Sequence, residues 1–155
     1  MEAGAKNNGS GVIRGSVLVF RSQTCIPSSD SGTTDLVKDV NSILEPVRGR
    51  NFVVFHDAYQ YFEKRFNVNV LGAFTVNTDV MPGAEQLAEI REIIEHDKVS
   101  CIFSEPQFNP DIINAVAKDM DIKTGVLDPL GATLNPGKDL YFDLIKNMSK
   151  SFKGC

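Results

Sequence analysis

The feature that most constrains this chain is a repeated alternation, from residue 51 onward, of short apolar runs with longer stretches of helical periodicity. Asn51-Phe-Val-Val-Phe55 is apolar after its first residue, as expected of a strand buried on both faces. Ala58 to Phe66 reads as a helix with Phe62 and Phe66 on one face. Val68 to Val76 reads as a second strand, interrupted at Gly72. Pro82 opens a helix whose apolar line is Leu87, Ile90 and Ile94, since proline is tolerated in a first helical turn. Val99 to Phe103 is a third strand, and Asp111 to Met120 a helix with Ile113, Val116, Ala117 and Met120 inward. Ile122 to Leu127 is a fourth strand. Lys138 to Lys153 is a final helix, with Leu140, Leu144, Met148 and Phe152 spaced four apart. Strands alternating with helices imply right-handed crossovers, and hence an α/β fold: a four-stranded parallel sheet flanked by helices.

Ahead of these units, Leu36, Val40, Ile43 and Leu44 recur at helical spacing, so Asp35 to Leu44 reads as an amphipathic helix ending near Pro46. Residues 1–33 have a different texture, rich in Gly, Ser and Thr, and read as a poorly structured or atypical N-terminal segment; residues 34–155 form the folded unit. Within that segment Val17 to Phe20 reads as a short strand and Cys25 to Thr34 as a loop. Its one apolar stretch, Ser16 to Phe20, is too short for a typical signal-peptide core, and no apolar run reaches the roughly 18 residues of a membrane span. The whole chain has 155 residues, 42% of them hydrophobic and 23% charged, which is globular composition and fits one domain or one lobe of something larger. A net charge of −4 without a basic block argues against nucleic acid as a partner. The three cysteines, Cys25, Cys101 and Cys155, lie far apart and form no CxxC. Their count fits one disulfide plus a free thiol as well as three reduced thiols.

In a parallel sheet all strands point the same way, and ligands bind outside their carboxyl ends. Those ends read His56-Asp57, Asn77-Thr-Asp79, Ser104-Glu105-Pro106 and Asp128-Pro129. An imidazole among oxygen donors suits Zn²⁺ or Mn²⁺. Each residue also has an ordinary structural explanation: Asp57 and Asp79 can cap the helices that follow, Asp128-Pro129 is a common turn pair, and a lone histidine is more often structural than a ligand. His96, at the end of a charged helix, reads as a surface residue near the helix dipole. Catalytic signatures are absent: the chain contains no GxSxG, no GxxxxGK[ST] and no GxGxxG after a strand. Cys101 falls within a buried strand. Glu105 with His56 can form an acid–base pair in principle, but no nucleophile accompanies them.

Several segments occur in order that carry a resemblance: Phe52-Val-Val-Phe-His-Asp-Ala-Tyr-Gln-Tyr-Phe-Glu63, Gly72-Ala-Phe-Thr-Val-Asn77, Pro82-Gly-Ala84, Glu89-Ile-Arg91, Ser104-Glu-Pro-Gln-Phe108 and Leu127-Asp-Pro-Leu-Gly131. From about Thr34 to Cys155 the chain resembles the C-terminal lobe of the high-affinity zinc-uptake solute-binding proteins, the periplasmic components of bacterial ABC importers that belong to the metal-binding cluster. The resemblance implies His56 as a direct zinc ligand and Asp128 as the aspartate that completes the metal site in zinc- and manganese-binding relatives. It implies Glu105 as a cleft residue that orients His56, and a Cys101–Cys155 disulfide. It further implies zinc as cargo, with Mn²⁺ second, an ABC permease as partner and a periplasmic location. Such proteins carry an N-terminal lobe with two further ligand histidines; residues 1–33 match no part of it and contain no histidine. The expectation is therefore a truncated lobe that binds zinc weakly, with water in the remaining positions. Its rim, wet and partly apolar, would be open to an N-terminal lobe in trans or to a second copy of the chain. Two other functions stand beside transport: an interaction module or remnant that retains the fold, and a small α/β enzyme using His56, Glu105 and Asp128.

Overall fold

Residues 31–155 are described by a computed structural model. Burial alternates along the inner strands, and that alternation sets the layers. β1 (Asn51–His56) sends Phe52 and Val54 to one side of the sheet and Val53 and Phe55 to the other, all deeply buried. β3 (Val99–Ser104) repeats the pattern, with Cys101 and Phe103 on the first side and Ile102 on the second. The first side is covered by α1 (Ser31–Leu44), α2 (Gln60–Phe66) and α5 (Leu140–Gly154), whose Leu36, Val40, Phe62, Phe66 and Phe152 fill that core. The second side is covered by α3 (Ala84–His96) and α4 (Asp111–Met120) through Ile90, Ile94, Ile113 and Val116. Burial on both faces is why the inner strands are almost wholly apolar.

With β2 (Asn69–Thr75) and β4 (Lys123–Val126) the sheet has the order β2-β1-β3-β4, and every pairing is parallel. That order decides where a ligand can sit. From β1 the chain crosses to β2 at one edge through α2; from β3 it crosses to β4 at the other edge through α4, on the opposite face. The connections diverge from between β1 and β3, and their parting leaves a crevice at the carboxyl ends of those two strands.

The helix over Asp111–Met120 lies where periodicity places it, and other boundaries differ by a few residues. The first helix begins at Ser31, four residues before the expected Asp35. Leu36 is its first buried residue, so the turn ahead of it is polar and leaves no apolar period in the sequence. Two residues later than expected, α3 starts at Ala84 rather than Pro82, because the extended Gly83 (φ −74°, ψ 169°) takes the cap position and leaves Pro82 outside. The interruption expected at Gly72 is a bulge: Phe52 pairs with Val70 but Val53 with Gly72, so Leu71 is inserted. Close approach fixes another glycine. A Cβ on Gly125 of β4 would fall 2.5 Å from the Phe103 ring and 2.8 Å from the Cys155 sulfur. That vacancy lets the sulfur of Cys155, bridged to Cys101 with Cα atoms 5.6 Å apart, pack against β4 at Gly125. The expected strand over Val17 to Phe20, Cys25 itself and the expected Cys25–Thr34 loop as far as Asp30 lie outside the described residues; the last four residues of that loop, Ser31 to Thr34, are instead the first turn of α1. Among the described residues no helix is long and apolar enough to cross a membrane.

Candidate metal centre

His56 ends β1, on the same side of the strand as Phe52 and Val54, and emerges into the crevice with its side chain 25% exposed. Glu105 follows β3 directly and is buried, its side chain 1% exposed. Its Oε1 lies 2.6 Å from His56 Nδ1. The hydroxyl of Tyr59, also buried, donates to that same oxygen at 2.9 Å. An oxygen that accepts from the Tyr59 hydroxyl accepts from the ring as well, so the imidazole contributes Nδ1–H, and in the neutral ring that leaves the lone pair on Nε2. Nε2 has no hydrogen-bond partner among the described residues. Phe108 packs edge-on to the ring, centroids 6.0 Å apart. A ring whose tautomer is fixed by a buried carboxylate and whose other nitrogen is bare is what metal ligation by histidine requires. Burial, and then the charge of Glu105, the hydrogen bond to it and the charge of Asp128, push the Tyr59 hydroxyl far above its ordinary pKa, which keeps it a donor to Glu105.

Asp128 stands two residues beyond β4. Its Oδ1 accepts from Gln107 Nε2 at 2.8 Å and from the Leu130 amide at 3.3 Å, while Oδ2 is buried with no partner. Gln107 belongs to the same exit turn of β3 as Glu105. Four buried side-chain oxygens among the described residues have no partner, and three of them, Glu105 Oε2, Gln107 Oε1 and Asp128 Oδ2, are at this place. Unpaired buried acceptors are costly, and their grouping marks a point where a cation or a proton donor is the natural complement. The donor set therefore fits a divalent metal ion.

The imidazole, Glu105, Gln107 and Phe108 wall a cleft of about 320 Å³, with Val76 and Leu130 at its mouth. Asp128 borders a neighbouring cavity of about 230 Å³ with Asn147 and Ser151, and Gln107 links the two by lining the first and bonding to Asp128. The structure thus brings His56 and Glu105 into contact and connects Asp128 to them through Gln107. Among the described residues no three His, Cys, Asp or Glu side chains gather closely enough to hold a metal by themselves. The other strand-end carboxylates lie elsewhere. Asp57 accepts from Gln60 at 2.7 Å and lines a separate cavity with Glu63, where burial and then the Asp57 charge raise the Glu63 pKa. Asp79 sits in an exposed turn, its amide bonded to Asn77 Oδ1. His96 is exposed at the end of α3. Sequence reasoning assigned no part to Tyr59 or Gln107. The signal available for each was proximity: one lies three residues after His56, the other two after Glu105.

The family model for the periplasmic zinc-uptake complex component A, ZnuA, matches residues 30–155. The high-affinity zinc uptake system protein ZnuA of Yersinia pestis is 45% identical over 119 residues, covering 76% of this chain and 37% of that protein. Its counterpart in Brucella abortus is 46% identical over 120 residues, covering 77% and 36%. The crystal structure of the laminin-binding protein Lbp of Streptococcus pyogenes aligns with a TM-score of 0.69 and 28% identity, over 80% of this chain and 48% of that one. The chain spans little more than a third of the length of the two zinc-uptake relatives. The parallel sheet, the crevice between β1 and β3 and the matched sequence from residue 30 to residue 155 agree, and the chain belongs to the ZnuA family.

Proposed function

We propose that residues 34–155 act as the zinc-capturing lobe of a periplasmic solute-binding protein that serves an ABC importer. The observation that carries this reading is the bare Nε2 of His56, held toward the cleft by the Glu105–Tyr59 pair. Zinc is the cargo. Nε2 supplies the first ligand, and the unpartnered Oδ2 of Asp128 supplies a second. Imidazole favours zinc over manganese. Protein zinc sites ordinarily use three or four ligands, so two donors give weak binding, with water completing the shell. The apolar side chains of Val76 and Leu130, which line this cleft, are 90% and 74% exposed, and Val80 and Met81, in the loop after β2, are 60% and 68% exposed. Such a patch fits a second lobe in trans, or a second copy of the chain, that brings the missing ligands.

Titrating the protein with zinc against a chromophoric chelator tests the reading. Binding is expected to be weak, and Glu105→Gln, which keeps the contact with Nδ1–H but removes the charge, is expected to weaken it roughly 10–100-fold. A wild-type protein that takes up no zinc would overturn the proposal and leave the fold as an interaction module. Sedimentation should show self-association that grows with zinc; a monomer in both conditions removes the second copy as ligand donor. An enzyme built on His56, Glu105 and Asp128 would instead show a turnover that disappears in Glu105→Gln while zinc has no effect.

A further inference from the structure

We infer that Gln107 is a selectivity residue: it confines Asp128 to a single free oxygen and so biases the site toward zinc and against manganese. The inference rests on the zinc-binding reading and concerns which ion that site prefers. Among the described residues the two donors that reach Asp128, the Gln107 amide at 2.8 Å and the Leu130 backbone at 3.3 Å, converge on Oδ1. Neither touches Oδ2, which is buried and bare. A carboxylate held in this way offers a metal one atom. Zinc is satisfied by four ligands in a tetrahedron and takes a carboxylate through one oxygen without loss. Manganese prefers six ligands rich in oxygen, for which a carboxylate that grips with both oxygens is worth more. Oδ1 already accepts two hydrogen bonds, the shorter from Gln107 in the wall of the His56 cleft, and joining the coordination shell would compete with them.

The same exit turn of β3 therefore controls both ligands. Glu105 leaves one nitrogen of the β1 histidine free, and Gln107 leaves one oxygen of the β4-side aspartate free. Gln107 acts on Asp128 as a positioning residue through its Nε2–H, while its Oε1 stays buried without a partner among the described residues, beside the two candidate ligands.

The test compares wild type with Gln107→Met, which retains volume but donates nothing, and Gln107→Asn, which retains an amide too short to reach. Zinc affinity is read by chelator competition and manganese affinity from the loss of the free-ion paramagnetic resonance signal, with circular dichroism melts to establish that each variant is folded. The preference for zinc over manganese is expected to fall about 10-fold in both variants, the lower end of what losing a ligand's hydrogen-bond partner costs, and manganese affinity itself to rise. X-ray absorption of the manganese-loaded Gln107→Met protein should show one oxygen more in the first shell than the wild type. A change that weakens both metals by the same factor, or an unchanged ratio in folded variants, overturns the selectivity role while leaving zinc capture intact. A wild type that binds neither metal overturns the zinc reading and this inference with it.

Discussion

Replacing His56 with alanine is expected to remove measurable zinc binding from this protein. The loss should exceed the roughly 10–100-fold that follows from disturbing a ligand's outer partner, because the variant deletes the one imidazole that lines the cleft among the described residues. Alanine also strips Glu105 of its closest neighbour and leaves a buried carboxyl group held by Tyr59 alone. A buried polar group that loses its partner costs about 1–3 kcal/mol, so the apo variant should melt at a lower temperature. His56→Asn separates the two effects. Its amide NH₂ can stand near the position of Nδ1–H and donate to Glu105, yet it has no atom at the position of Nε2. The expected result is a melting temperature closer to wild type with zinc binding still absent. Zinc affinity in His56→Ala equal to that of the wild type would remove His56 as the ligand.

How far such a site can be read from sequence depends on which contacts follow from strand direction alone. The inner strands were legible because burial on both faces leaves an apolar signature, as Phe52 to Phe55 shows. Parallel direction follows from the helical crossovers, and it places His56 and Glu105 at the same end of the sheet. Strand order does not follow from any of this. The sequence does not say that β1 and β3 are neighbours, and only that adjacency lets His56 meet Glu105 across 49 residues. Parallel direction puts every strand-end carboxylate at one end of the sheet but does not gather them at one cleft. Asp57 is adjacent to His56 in a strand-end geometry that turns successive side chains apart, and it borders a different cavity. Asp79 follows an edge strand and closes its own turn. The start of α1 escaped detection for a related reason: its first turn buries nothing, and a periodicity signal exists only where burial does. Tyr59 and Gln107 are side chains whose task is to hold another side chain, and no pattern in one sequence distinguishes that from packing.

Removing the Cys101–Cys155 disulfide is expected to cost about 4 kcal/mol of stability, on the chain-entropy account of a closed loop of this size, the two cysteines being 54 positions apart. Domains of this class have roughly 5–15 kcal/mol in all, so the change is a large share of the total. The measurement is urea denaturation of Cys101→Ala/Cys155→Ala against the oxidised wild type. Alanine is preferred to serine because Cys101 is wholly buried beside Phe52, Phe103 and Phe152, where a hydroxyl would add its own desolvation penalty. If the bridge acts on the unfolded chain, its removal allows a more expanded denatured state, and the slope of the transition should steepen as the midpoint falls. The functional consequence is expected to be small. The bridge ties the end of α5 to the middle of β3 and packs on Gly125, whereas Glu105 and Gln107 are held in the exit turn by Tyr59 and Asp128. Phe152, fully buried against Phe52, Phe62 and Phe103, keeps α5 in place without the bridge. Zinc affinity of the folded variant should therefore stay within about 3-fold of the wild type, the scatter expected where no contact of the site changes. A loss of under 1 kcal/mol would show that the packing of α5 alone holds the C-terminal end of the fold; an equal loss of zinc affinity and stability would show that the bridge orders the β3 exit turn as well.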